Sequence, residues 1–166
     1  EQDVSADQSS PLSGLELGEI GGIFAQIARG VAALHARGKL HRDLKPSNVM
    51  IEPSGRAVIL DFGLVSGAGE AADGRIMGTP VYMAPEQAHG HALTEACDWY
   101  AFGTMLYRSV TGALPFGGGK SAVAAKLRRT APTAAALTAG ELGRLADDLI
   151  RFEPSERPRG AEVLAR

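Results

Sequence analysis

The sequence lacks several features that would indicate particular classes of protein. It has one cysteine, Cys97, so no disulfide can form within the chain, and the apolar residues after it favour a core position over a nucleophile. No apolar run approaches the ~18 residues of a membrane span, and no charged segment followed by an apolar one indicates a signal peptide. We therefore expect a reducing, cytoplasmic location.

The chain also has no strong excess of charge of either sign. Its 17 lysines and arginines nearly balance 19 aspartates and glutamates, which gives a net charge of −2 and a pI of about 6.1. This balance gives no indication of a nucleic-acid-binding surface or a polybasic membrane patch. With 45% hydrophobic and 22% charged residues among 166, the composition is typical of one globular domain that can bury a core.

The pattern along the chain predicts a polar start and a mainly helical remainder. Residues 1–16 are acidic and serine-rich, which predicts a linker ahead of a domain covering residues 17–166. From Leu17 the apolar residues recur at steps of three and four, as in an amphipathic helix. Residues 49–52 and 57–60 predict two short strands around a turn.

The second half of the chain is dominated by helical patterns. Thr94 is a predicted cap for a helix over residues 95–111 that is apolar nearly all round, which is typical of a helix buried at the centre of a domain. A short helix is predicted over residues 121–129, and residues 138–141 form a capping box that opens another. The predicted fold class is mainly α, with a small β-hairpin and a buried central helix.

The residues that carry chemistry are concentrated between positions 41 and 63. His-Arg-Asp-Leu-Lys-Pro-Ser-Asn occupies residues 41–48, and Asp-Phe-Gly follows at residues 61–63. An acid, a lysine, an amide and a second acid in this order can orient a hydroxyl, provide oxygen ligands for Mg²⁺ and offset phosphate charge. Each of these residues alone in a loop would more often be solvated or cap a turn. Their order and spacing together match a known motif of phosphoryl-transfer enzymes, which makes a solvated role for all four hard to sustain.

With these motifs the chain resembles the C-terminal (large) lobe of a bacterial, eukaryotic-like (Hanks-type) Ser/Thr protein kinase. Residues 78–86, Gly-Thr-Pro-Val-Tyr-Met-Ala-Pro-Glu, match the substrate-facing loop of that family, and residues 98–103 match the start of its central helix. The resemblance runs from about Leu17 to the C-terminus. It implies ATP and Mg²⁺ as cofactors and a protein serine or threonine as the acceptor.

The resemblance also implies roles for individual residues. Asp43 is the expected catalytic base, and Lys45 is expected to offset charge on the γ-phosphate of ATP. Asn48 and Asp61 are the expected Mg²⁺ ligands, and both belong to the nucleotide site. Met50 is the expected floor beneath the adenine ring.

Other motif residues are expected to support the site. Thr79 belongs to the substrate loop and is expected to hydrogen-bond near the two catalytic residues. Glu86 is expected to form a buried ion pair with Arg157. Asp98 is expected to hold the backbone of the catalytic loop, and Phe62 to pack inward and set the position of the acid before it.

The sequence departs from the family pattern in two ways. No glycine-rich loop, strand lysine or helix glutamate precedes the catalytic loop, so an isolated chain is expected to be inactive unless an N-terminal (small) lobe lies upstream. Arg42 is present, as in kinases switched on by a loop phosphate, yet residues 68–77 contain no Ser, Thr or Tyr. Glu70 or Asp73 is therefore expected to take the place of that phosphate.

The competing interpretation is a catalytically silent kinase-like lobe that acts as a binding or scaffold module. Such a module needs none of the four residues Asp43, Lys45, Asn48 and Asp61. All four are present, which favours the enzyme.

Overall fold

The computed structural model describes residues 15–61, 66–67, 79–118, 120–128 and 135–166. In this part of the chain the helices are α1 (Leu17–His35), α2 (Pro85–Ala88), α3 (Glu95–Thr111), α4 (Lys120–Leu127), α5 (Ala136–Leu149) and α6 (Gly160–Leu164). The strands are β1 (Lys39–Leu40), β2 (Val49–Ile51), β3 (Ala57–Ile59) and β4 (Ser66–Gly67). The mainly helical content and the short strands agree with the predicted class.

Strands β2 and β3 form the predicted hairpin. They pair antiparallel, with Val49 opposite Ile59. The register continues one step further, because the Leu60 N–H donates to the Asn48 carbonyl at 2.8 Å. The hairpin therefore brings Asp61, the residue after Leu60, to the same end as Asn48.

The sequence pattern does not predict the pairing of β1 with β4. Lys39 lies opposite Gly67, and Leu40 lies opposite Ser66. A strand of two residues is too short to show the alternation that identifies strands in a sequence. Only the approach of two distant segments reveals this pair.

Helix α3 lies at the centre of the core, as predicted. Every residue from Cys97 to Tyr107 is buried, and the Thr94 hydroxyl accepts a hydrogen bond from the Ala96 N–H. Burial raises the pKa of the Cys97 thiol well above its usual value, which agrees with the prediction of a core residue. Helix α5 passes close to Gly103, where a Cβ atom would lie 2.5 Å from the Leu149 Cβ.

Helix α1 covers one side of α3 with its apolar stripe. The Phe24 and Phe102 rings meet edge to face with centroids 5.3 Å apart. Within the described ranges, α1 is the one helix long and apolar enough to cross a membrane, with a mean hydropathy of 1.2. A core helix passes the same test, and the stripe Ile20, Ile23, Phe24, Ile27 and Val31 is buried against the protein. Length and hydropathy are therefore weak evidence that α1 crosses a membrane.

The helix predicted to open at residues 138–141 corresponds to the part of α5 that follows Gly140. Helix α5 begins earlier, at Ala136, and is interrupted by non-helical backbone at Ala139 and Gly140. Gly140 has a φ of 57°, a left-handed conformation that glycine adopts without steric cost. Regular helix resumes after this glycine.

Candidate active site

Asp43, Lys45 and Thr79 form one hydrogen-bonded group, called here the catalytic cluster. Asp43 Oδ1 accepts from the Thr79 N–H at 2.8 Å and from the Thr79 hydroxyl at 3.0 Å. Lys45 Nζ lies 3.0 Å from Asp43 Oδ2 and donates to Thr79 Oγ1 at 2.9 Å. The fold thus brings the predicted substrate-loop threonine onto the two predicted catalytic residues.

The catalytic cluster is open to solvent and keeps unused hydrogen-bonding capacity. The Asp43 and Lys45 side chains are 15% and 26% exposed. A carboxylate has about four acceptor positions and an ammonium has three N–H donors. The contacts above use three acceptor positions of Asp43 and two donors of Lys45. Counting partners among the described residues only, one acceptor position of Asp43 and one donor of Lys45 remain for another molecule.

Asn48 is buried in the turn that leads into β2. Its Nδ2 donates to the Asp43 backbone carbonyl at 2.9 Å, and this bond fixes the orientation of the amide. The amide oxygen is then the atom left to bind a cation.

Asp61 follows the hairpin and has a φ of 59°, a left-handed conformation that aspartate tolerates better than most residues. Asn48 and Asp61 lie at one end of the hairpin and offer an amide and a carboxylate oxygen. The described residues contain no group of three or more His, Cys, Asp or Glu that could enclose a metal. Two oxygen ligands fit Mg²⁺, which keeps several waters and binds phosphates as well. Met50, also on the hairpin, is 42% exposed beside this end.

The backbone of the catalytic loop is strained at Arg42 and held there by Asp98. The φ of Arg42 is 68°, a left-handed conformation that costs about 1–2 kcal/mol for a residue with a Cβ. The buried Asp98 carboxylate accepts the Arg42 and His41 N–H groups, each at 2.8 Å. His35 Nε2 lies 2.8 Å from the same carboxylate, and Gln87 Nε2 donates to the Arg42 carbonyl at 2.8 Å. The strained loop is thus fixed from α1, α2 and α3.

Glu86 and Arg157 form a two-pronged ion pair, with Nη1–Oε1 and Nη2–Oε2 distances of 2.7 and 2.9 Å. Their side chains are 8% and 0% exposed. The remaining N–H groups of Arg157 donate to the backbone carbonyls of Ala96, Arg151 and Phe152. All five guanidinium N–H donors are therefore used.

Sequence reasoning missed three residues that hold the site, namely His35, Gln87 and Lys126. His35 continues the apolar stripe of α1 four residues after Val31, and Lys126 lies four residues after the buried Ala122. Helical spacing could have indicated that both are buried. Burial lowers the pKa of Lys126 to about 7. No signal in the sequence distinguishes Gln87.

Three predicted positions cannot be placed in this arrangement. Phe62, Glu70 and Asp73 lie outside the described residues. The packing of Phe62 and the pairing of Arg42 with an acid therefore stay predictions.

Comparison with known proteins gives one family. Residues 6–166 match the family model described as "Protein kinase domain", so the match includes part of the predicted linker. The chain is 40% identical over 151 residues to the serine/threonine-protein kinase PkaA of Streptomyces coelicolor, covering 87% of this chain and 28% of that protein. It is 37% identical over 161 residues to the serine/threonine-protein kinase pkn2 of Myxococcus xanthus, covering 86% and 19%.

A further relative is the serine/threonine-protein kinase PknA of Mycobacterium tuberculosis, 42% identical over 99 residues, which cover 58% of this chain and 23% of that protein. The chain thus spans less than a third of the length of each of these relatives. The family match extends over nearly the whole chain, including every residue of the catalytic cluster, and shows that the chain belongs to the protein kinase domain family.

Proposed function

We propose that this chain is the large-lobe part of a Ser/Thr protein kinase, which transfers the γ-phosphoryl group of ATP to a serine or threonine hydroxyl of a protein. The observation that carries the proposal is the catalytic cluster with its unused capacity. Asp43 can accept one more hydrogen bond, and Lys45 can donate one more. A hydroxyl and a phosphate oxygen are the two partners that phosphoryl transfer would bring there. The similarity to relatives named as Ser/Thr kinases supports the same reaction.

In this mechanism the residues of the chain orient groups more than they form bonds. Asp43 accepts the hydrogen bond of the substrate hydroxyl and takes its proton as the oxygen attacks. Thr79 and Lys45 hold the carboxylate in one orientation. The remaining N–H of Lys45 offsets the negative charge on the transferring group.

The nucleotide side of the site would be formed by the hairpin. The Asn48 amide oxygen and the Asp61 carboxylate would hold Mg²⁺, which when bound neutralises phosphate charge. Lys45 would serve both sides of the site, since it pairs with Asp43 and has an N–H that could bind a phosphate oxygen. The exposed side chain of Met50 would provide an apolar surface for the adenine ring.

We also propose that transfer requires a small lobe joined to this chain. The 166 residues contain neither a glycine-rich loop ahead of Asp43 nor a strand lysine with its partner glutamate. Phosphoryl transfer in kinases needs that ion pair as well as the metal ligands. The chain alone should therefore be inactive.

We also propose that the active protein is located in the cytoplasm, where ATP and Mg²⁺ are available. Cell fractionation would test this location.

The test begins with the intact mass of the polypeptide in its native source. We expect a mass well above 17.3 kDa and an upstream segment with a glycine-rich loop. That polypeptide is then incubated with labelled ATP, Mg²⁺ and peptide libraries with a central Ser, Thr or Tyr. Label should enter the Ser and Thr libraries only, and omission of Mg²⁺ should abolish it.

Two results would contradict the proposal. A native polypeptide that contains a small lobe but transfers no phosphate is not a kinase. A native mass near 17.3 kDa without transfer would favour the binding or scaffold module.

A further inference from the structure

Lys126 is a fully buried lysine on α4 that the proposed chemistry does not use. The residue is only 1% exposed. Its side chain is among the largest fully buried side chains of the protein. Lysine is almost never buried to this extent unless its charge is paired. Its contacts therefore indicate what the charge does.

The Lys126 ammonium is bound to backbone rather than to an acid. Nζ donates to the carbonyl oxygens of Pro80, Val81 and Met83 at 2.9, 2.8 and 2.8 Å. All three N–H donors of an ammonium are thereby used. Among the described residues no carboxylate pairs with it. Every hydrogen-bond partner belongs to one short loop, residues 79–84.

The same loop is the one that carries Thr79 into the catalytic cluster. The N–H groups of Tyr82 and Met83 both donate to the Thr79 carbonyl, at 3.0 and 3.1 Å, so the loop turns back on itself. From α4, Lys126 holds the middle of this turn through the Val81 carbonyl. Asp43 holds the start of the turn through the Thr79 N–H. Helix α4 therefore controls the shape of the surface immediately beside the catalytic acid.

An aromatic ring connects this contact with the buried ion pair. Lys126 Nζ lies 5.3 Å from the centroid of the Tyr100 ring, and the Arg157 guanidinium carbon lies 4.8 Å from the same centroid. Favourable contact of a cation with an aromatic face occurs within about 6 Å. The loop is thus anchored through Lys126 in its middle and through the Glu86–Arg157 pair at its end, and both anchors meet at Tyr100.

We propose that Lys126 is a positioning residue for the protein substrate. By donating hydrogen bonds to three carbonyl oxygens, it holds residues 80–83 in the shape that receives the peptide next to its phosphorylated hydroxyl. This rests on the proposed kinase function. Loss of these three hydrogen bonds should weaken binding of the peptide and leave binding of ATP unchanged. It should also relax the preference for residues that flank the hydroxyl.

The experiment uses the full polypeptide from the native gene with the substitutions Lys126→Met and Lys126→Gln. Methionine keeps the apolar stem at nearly the same length but donates no hydrogen bond, whereas glutamine keeps two N–H donors. Lys39→Met is the matched control, because Lys39 is exposed on β1. The substrate is the preferred peptide from a library with central Ser or Thr. The readouts are kcat, the KM for peptide, the KM for ATP and hydrogen–deuterium exchange of the amides of residues 81–84.

For Lys126→Met we expect the peptide KM to rise about tenfold, because the hydrogen bonds to three loop carbonyls are lost, and the ATP KM to stay within about twofold. Exchange of the loop amides should accelerate. Lys126→Gln should lie between the wild type and Lys126→Met, and Lys39→Met should match the wild type.

Several results would overturn the proposal. Equal changes in both KM values, a change in kcat alone, or an unchanged peptide KM would each contradict a role of Lys126 in positioning the substrate. If neither Lys126 variant folds, the role is structural only. If the wild type transfers no phosphate, the kinase function itself fails and the proposal with it, while the exchange data still show whether Lys126 orders the loop.

Discussion

Two ion pairs, Asp43–Lys45 and Glu86–Arg157, lie at opposite ends of the loop of residues 79–84, and their surroundings differ. Asp43 and Lys45 are partly exposed, and within the described part of the chain each keeps one unused hydrogen-bonding position. Glu86 and Arg157 are buried, and every guanidinium N–H of Arg157 has a partner. The first ion pair thus has hydrogen-bonding positions left for a substrate, whereas the arginine of the second has none.

The difference separates reactivity from stability. A buried charge with all its partners is costly to disturb, since removal of one partner leaves the other uncompensated. A partly exposed pair contributes less to folding, because water screens it, but it can accept a substrate. We therefore expect substitutions in the catalytic cluster to act on rate and those in the buried pair to act on the free energy of unfolding.

The largest effect is expected from Asp43→Asn in the full polypeptide. The amide cannot take the proton of the hydroxyl, so kcat should fall by about 10²–10⁴-fold. The free energy of unfolding should change by less than at the buried pair, by about 1–2 kcal/mol, because the asparagine amide oxygen can still accept from Thr79. Labelled-ATP kinetics and urea unfolding measure the two quantities. Retention of more than half the wild-type kcat would exclude Asp43 as the base.

Arg157→Met should act on stability instead. It leaves the buried Glu86 carboxylate without its partner, and we expect a loss of about 3–5 kcal/mol in the free energy of unfolding, measured with urea. The double variant Glu86→Leu, Arg157→Met removes both charges and should recover part of the loss. A double variant less stable than Arg157→Met alone would mean that the unpaired carboxylate is not the cause.

Thr79→Ala tests the connection between the two regions. It removes the hydroxyl that donates to Asp43 and accepts from Lys45 but keeps the backbone N–H bond. Bonds to charged groups contribute about 1.5–3 kcal/mol, so a fall in kcat of about tenfold or more is expected. Thr79→Ser keeps the hydroxyl and should stay near the wild type. Equal loss in both variants would point to packing of the methyl group.

The smallest effect is expected at Asp148, which represents a third, exposed kind of ion pair. Partial burial acts to raise the pKa of Asp148, but hydrogen bonds from Arg166 and Arg151 outweigh it and lower that pKa. A lowered pKa in the folded state stabilises the protein above the unfolded value of about 3.9 and stops doing so as the pH falls through the folded value.

Asp148→Asn should therefore cost about 0.5 kcal/mol at neutral pH, and the difference from the wild type should shrink as the pH falls below about 4. Thermal unfolding of both proteins across that range measures it. A difference that grows in acid would show that the carboxylate is not stabilised by the two arginines.

How well the site could be predicted depends on how local its contacts are. The motif at residues 41–48 could be identified because its members are close in sequence. The contact of Glu86 with Arg157 was expected only through the family resemblance, and the structure contains it. Lys126 could not be recognised, since its three partners lie more than 40 residues away and are backbone carbonyls, which carry no residue type.

Elements with strong local signals could be predicted from the amino-acid sequence. Apolar spacing and caps specify α1 and α3, and the Val/Ile-rich segments around a turn specify the hairpin. Four features arise only from the packing of distant segments: the β1–β4 pair, the interruption of α5, the support of strained Arg42 by Asp98, and the burial of Lys126 against its loop. The physical reason is that these features depend on which distant groups satisfy a buried donor, acceptor or charge, and that is settled only when the helices pack.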